Sequence, residues 1–116
     1  MKDAVLPGRR KFPRKVFRKK LTFLCRGQAT VVDGVEIGEG GMSFKSDFVL
    51  DENQKIIVNF FISEGDFFSV RTTLKNKKEG SGHFVYGVGF DDISIALKRQ
   101  IRAYVARKSN ASLELV

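Results

Sequence analysis

Apolar and polar residues alternate along most of this chain in short runs separated by glycine or polar breaks, and only the C-terminal stretch leaves that rhythm. A period of two puts successive side chains on opposite faces, the signature of a half-buried β-strand. Residues 15–24 place Val16, Arg18, Lys20, Thr22 and Leu24 on one side and Phe17, Leu21 and Phe23 on the other. Residues 29–37 are β-branched at Val31, Val32, Val35 and Ile37, and the loop Gly38-Glu39-Gly40-Gly41 leads into a strand over 42–48. Residues 55–63 set Ile56, Val58, Phe60 and Ile62 on one face. Glu64-Gly65-Asp66 then has the chemistry of a hairpin turn. Residues 67–74 alternate again, with Phe68, Val70, Thr72 and Leu74 inward and Ser69, Arg71 and Thr73 outward, and a polar loop is expected over 75–82. The last strand carries Phe84, Val85, Tyr86, Val88 and Phe90, with Gly87 and Gly89 on the face opposite Tyr86. Glycine inside a strand signals close approach of a backbone or a ligand, or a barrel corner.

Beyond it the period lengthens. Ile93, Leu97, Ile101, Tyr104 and Val105 follow helical spacing, with Asp92 or Ser94 as cap, Arg99, Arg102 and Arg107 toward solvent, and Ser109-Asn110 as the stop. Six short strands without a helix between them predict an all-β antiparallel barrel or sandwich. A C-terminal α-helix would cover an open end or edge.

At 116 residues this is one domain, and eleven Phe suffice to fill its core. Both prolines, Pro7 and Pro13, lie at the N-terminal end, so the body is free of the residue that interrupts sheet ladders. The expected organisation is a flexible lead over 1–8, a domain over 9–108 and a loose tail over 109–116. Within the domain an arm spans 9–14, the barrel 15–91 and the helix 92–108. Cys25 is alone, so an intrachain disulfide is excluded and a reducing cytoplasm fits. Neither a signal-peptide run nor an apolar stretch near 20 residues is present in the sequence.

Charge is concentrated. Residues 9–20 hold eight Lys/Arg and no acid; of the chain's 21 basic and 13 acidic residues, this leaves 13 of each sign elsewhere. The net charge of +8 is therefore a local site that favours a polyanion or a phosphate-bearing ligand. Three residues, the stiff Pro13 among them, separate Arg10 from Arg14. Arginine grips phosphate bidentately and stacks on flat rings, so this pair suits a compact ligand carrying phosphate and base.

Catalysis finds little support. His83 sits alone beside Gly82 in a polar stretch, and one Cys with one His makes neither a nucleophilic dyad nor a structural zinc site. Asp91 and Asp92 read as caps at a strand-to-helix junction. The 38–41 glycine loop lacks the Lys-Ser/Thr of a nucleotide hydrolase, and a tight turn with positive φ accounts for it.

Arg10-Lys11-Phe12-Pro13-Arg14 at the mouth of a small barrel resembles the RxxxR motif of the PilZ family. Gly40-Gly41 after a β-branched strand is similar to that family's second motif, (D/N)xSxxG. The Tyr86-Gly87-Val88-Gly89-Phe90 strand, followed by Asp91 and a helix, looks like the family's ending. The resemblance covers residues 9–107. It implies a six-stranded antiparallel barrel with a C-terminal helix that binds cyclic di-GMP, with Arg10 and Arg14 clasping phosphate and guanine. Some members with an additional Arg just before the motif bind a stacked pair of ligands, and the resemblance extends that expectation to Arg9. Aligned on Gly41, the second motif has Glu36 for Asp/Asn and Gly38 for Ser. Glu36 keeps a carboxylate that can accept from a guanine edge, whereas the lost hydroxyl costs roughly 0.5–1.5 kcal/mol, about tenfold in affinity.

The expected ligand site is thus Arg9, Arg10, Arg14, Glu36, Gly38 and Gly41, with no metal and no cofactor beyond cyclic di-GMP. The chain is expected to be a cytoplasmic bacterial receptor, not an enzyme. It would signal through an effector protein, in motility or surface-polymer control, by an arm that orders on ligand binding. Two alternatives stay open: a degenerate domain that binds no nucleotide and acts only by protein contacts, and a small barrel for single-stranded nucleic acid. The second is the weaker, because the aromatics alternate toward a core and the cations cluster on an arm.

Overall fold

A computed structural model of the chain describes residues 13–62 and 66–114. The alternating segments form β1 (Arg14–Val16), β2 (Lys20–Cys25), β3 (Gln28–Gly38), β4 (Gly41–Ser46), β5 (Lys55–Phe61), β6 (Phe67–Glu79) and β7 (Phe84–Phe90), followed by α1 (Ile95–Glu114). All pairings are antiparallel, in the order β1-β3-β2-β5-β6-β7-β4. Because β3 also pairs with β4, β2 to β7 close into a six-stranded barrel, and β1 is one extra strand on β3. Closure removes the unpaired edges of these six strands.

The single strand expected over 15–24 is split in two, and β3 is the cause. Its register shifts between Gly34 and Glu36, so β2 pairs with its first half and β1 with its last three residues. Between them the chain crosses the bulge through Phe17 N–H to Val35 O (2.8 Å) and Gly34 N–H to Lys19 O (2.8 Å). A Cβ at Gly34 would lie 2.6 Å from Phe17 O and 2.8 Å from its ring, so only glycine admits the crossing.

The inward residues form one core. Phe17, Phe23, Phe44, Phe60, Ile62, Leu74 and Tyr86 are fully buried. Phe23 stacks on Phe44 at 5.4 Å, and Phe17 meets Phe60 edge-on at 5.9 Å. The Tyr86 hydroxyl donates to Phe48 O and accepts from Leu50 N–H at 2.8 Å, tying the segment after β4 to β7. Burial raises the Tyr86 pKa.

The polar loop expected over 75–82 is corrected: β6 continues to Glu79, pairing Asn76 with Gly87, Lys77 with Tyr86, Lys78 with Val85 and Glu79 with Phe84. These β6 side chains are all exposed, so the extension carries no buried face and no alternation. Thr73, expected outward, is buried. In the expected hairpin turn, Glu64 and Gly65 lie outside the described residues.

The helix packs as its spacing predicts. Leu97 and Ile101 are buried, and Ile93, Tyr104 and Val105 lie against the core. Ser94 is the cap, its hydroxyl accepting from Leu97 N–H at 3.0 Å. The helix starts at Ile95 rather than Asp92 and runs past Ser109-Asn110 to Glu114. It is not long and apolar enough to cross a membrane.

Asp91 joins the end of β7 to the barrel wall. It accepts from Thr73 Oγ1 at 2.6 Å and Lys55 Nζ at 3.2 Å, and first the Thr73 hydroxyl, then Lys55, holds its pKa below the ordinary 3.8. A carboxylate depressed on folding stabilises fully above its unfolded value and loses that contribution as pH falls through its folded value. Unfolding free energy measured from pH 5 down to pH 2 is therefore expected to fall less steeply in Asp91→Asn than in the parent, with the difference arising below about 3.8. Parallel curves would show that Asp91 does not contribute.

Candidate functional site

At one end of the barrel the extra strand, the β3–β4 turn and β7 leave a cleft of about 340 Å³. It is lined by Arg14 of β1, Gly38 of β3, Gly40 of the turn, Gly41 and Met42 of β4, Lys75 and Asn76 of β6, and Gly87, Val88 and Gly89 of β7.

Backbone proximity builds these walls. Arg14 is paired with Gly38 across β1 and β3. A Cβ at Gly38 would stand 2.8 Å from Pro13 O and 3.2 Å from Arg14 Cγ, so this glycine lets the strand carrying Arg14 lie flat on β3. Serine here would push that strand away; the missing hydroxyl is thus linked to close docking. Gly41 is tighter still, since its Cβ would come 2.0 Å from Val88 O. The turn itself is tied to β7 by Phe90 N–H donating to Gly40 O at 2.9 Å. Gly87 and Gly89 lie beneath Asn76 and Lys75, with Asn76 Oδ1 2.6 Å and Lys75 Cε 3.1 Å from where their Cβ atoms would be.

The positive-φ explanation for the 38–41 loop does not hold. Among the described residues the positive-φ glycines are Gly27 and Gly82, and steric closeness accounts for Gly38 and Gly41.

Of the residues expected at the site, Arg14, Gly38 and Gly41 come together in the cleft. Glu36 does not line it; its carboxylate stands 3.7 Å from the Arg14 guanidinium, with both groups more than a third exposed. Arg9 and Arg10 lie outside the described residues. Sequence reasoning missed Lys75 and Asn76, which it placed in a loop. It did carry a signal for β7, because Gly87 and Gly89 interrupt an otherwise bulky strand.

Chemically the lining offers the forked donors of Arg14, the ammonium of Lys75, the Asn76 amide and glycine backbone that a flat group can approach closely. It contains no carboxylate, thiol, hydroxyl or imidazole among the described residues. This set suits binding an anion with a planar part rather than proton transfer or nucleophilic attack. Besides Glu36, a second carboxylate stands next to the cleft. Glu39 turns toward α1, where its Oε2 accepts from Arg102 Nε at 2.7 Å.

Fold and cleft define a small closed β-barrel that presents a cationic, glycine-rich cleft beside an extra strand. The PilZ domain model matches residues 8–107, and the chain belongs to the PilZ domain family. Solved structures share the fold. MotI/DgrA, the inhibitor of motility of Bacillus subtilis, superposes with a TM-score of 0.78 at 11% identity, over 89% of this chain and 52% of that one. YcgR of Escherichia coli in complex with c-di-GMP gives 0.73 at 18% identity, over 91% of this chain and 48% of that one. The PilZ domain of Escherichia coli YcgR with c-di-GMP gives 0.73 at 14% identity, over 93% and 99%. The chain spans about half the length of the first two. Comparison with curated protein sequences yields no match.

Proposed function

We propose that the cleft is a receptor site for cyclic di-GMP. Arg14 and Arg10 would engage phosphate and guanine, Arg9 would assist, and the Gly38–Gly41 turn would form the surface the ligand lies on. The observation that carries this reading is Arg14 beside Gly38 in a cleft half of whose lining residues are glycines. A cyclic dinucleotide has two phosphates and two flat bases, the groups that an arginine fork and bare backbone accommodate. Membership of the PilZ family supports the ligand, as do the fold relatives solved with c-di-GMP. In this reading the chain is a bacterial cytoplasmic receptor. Ligand orders the arm, and the resulting surface is read by an effector protein, as in control of motility.

Calorimetric titration of the full chain with cyclic di-GMP tests it. Saturable binding in the micromolar range, lost in Arg10→Ala, is the expected result, and the stoichiometry reports one ligand or a stacked pair. Absence of both heat and thermal shift at high ligand would overturn it. The alternative, a domain that acts only through protein contacts, draws on the Glu36 carboxylate 3.7 Å from Arg14, which competes with phosphate for the same guanidinium.

A further inference from the structure

Glu39 is the residue of the turn that fits a phosphate site least well. It lies between Gly38 and Gly40, both of which line the cleft. Its side chain is only 11% exposed, and its Oε1 is buried without a hydrogen-bond partner among the described residues. An under-satisfied carboxylate next to bound phosphates would repel them. Its other oxygen, Oε2, receives Arg102 Nε at 2.7 Å from α1, 63 residues along the chain. That contact is the ion pair the described residues give Glu39. Arg102 itself is held by the helix, which Leu97 and Ile101 bury against the barrel.

We propose that Arg102 is a positioning residue of the ligand site: it draws the Glu39 carboxylate onto α1 and cancels its charge, leaving the Gly38–Gly41 turn open to phosphate. The helix is in this way part of the site without touching its ligand. This inference rests on the reading of the cleft as a cyclic di-GMP site.

The two members of the pair then behave oppositely. Arg102→Gln leaves the Glu39 charge uncancelled beside the phosphates and is expected to weaken cyclic di-GMP binding about tenfold. Glu39→Gln keeps an acceptor for Arg102 but removes the charge, and is expected to bind at least as tightly as the parent. The double variant is expected to return to within about threefold of the parent. Glu39 is only 11% exposed, so Arg102→Gln, which strands its charge, is also expected to lower the thermal midpoint, whereas Glu39→Gln and the double variant are expected to stay near the parent.

Titration of the parent and the three variants reads this directly. Unchanged affinity in Arg102→Gln would overturn the inference, as would a Glu39→Gln variant weakened as much as Arg102→Gln, or a double variant that stays weak. If the parent itself binds no cyclic di-GMP, the receptor reading fails, and amide exchange in the ligand-free protein still tests Arg102. Faster exchange at Gly40 and Gly41 in Arg102→Gln would support its hold on the turn, and unchanged rates would overturn it.

Discussion

Arg14→Ala is expected to lower the affinity for cyclic di-GMP at least a hundredfold, the largest effect on binding of any single change at the described site. Arg14 is the one arginine lining the cleft among the described residues, and its side chain is 40% exposed, so its donors are available to a ligand. A hydrogen bond to a charged group contributes about 1.5–3 kcal/mol, and a bidentate grip on phosphate makes two. Losing both removes about 3 kcal/mol or more, which is the hundredfold. Part of the gain is offset in the parent, because Glu36 at 3.7 Å competes with the ligand for the Arg14 guanidinium. That pair is exposed, and its loss has little consequence for stability. Lys98→Ala, which removes the same charge from an exposed helix position, is the control for bulk electrostatics. Calorimetry of both variants separates the cases. Equal losses would mean that net charge alone attracts the ligand, and no loss in Arg14→Ala would place the ligand elsewhere.

The largest effect on stability is expected at Gly41. Alanine there would put its methyl carbon 2.0 Å from Val88 O and 3.1 Å from Gly89 Cα. Both obstacles are backbone within the β4–β7 ladder, where Gly41 pairs with Gly89 and Met42 with Val88, so no rotamer change relieves the clash. The strands must separate at the seam that brings β4 onto β7. Overpacking of this kind costs about 3 kcal/mol or more, which for a domain near 100 residues lowers the melting midpoint by roughly 15 °C. Gly27→Ala is the contrast. Gly27 has φ of +76° and nothing within 4 Å of its would-be Cβ, so only backbone strain of about 1–2 kcal/mol is incurred. Denaturant unfolding of the two variants compares them, and a Gly41→Ala protein as stable as Gly27→Ala would show that the strands yield.

Much of this was legible in the order of residues, and the exceptions have physical causes. Phe17, Leu21 and Phe23 fall inside as their alternation predicts, and so do Ile56, Val58, Phe60 and Ile62, because one buried face forces the register. The helix announced itself through Leu97 and Ile101. The split at Phe17 could not be read, since it arises from a bulge in a different strand, at Gly34 to Glu36. Lys75 to Glu79 looked like a loop because a ribbon exposed on both faces leaves no periodicity. At the site, Arg14 and the glycines were visible as a motif. Lys75 and Asn76 were hidden by that same loss of pattern. The role of Arg102 depends on a contact with Glu39 that spacing in the sequence does not encode.

The extra strand β1 pairs with β3 at three register positions and also contacts the helix, with Lys15 Nζ donating to Tyr104 O at 3.1 Å and Tyr104 OH donating to Val16 O at 3.3 Å; just beyond it the Phe17 and Tyr104 rings meet edge-on. The barrel, by contrast, is closed by pairings between segments far apart in sequence, such as Ser46 with Phe84. Such closure forms slowly and, once formed, opens rarely, whereas a short appended strand is a low-energy opening unit. Under the proposed function, only molecules with β1 seated carry a complete site, so the apparent dissociation constant is the intrinsic one divided by the seated fraction. Evolution can therefore retune the threshold concentration at which this domain responds through Lys15 or Tyr104, without altering a single atom that meets the messenger.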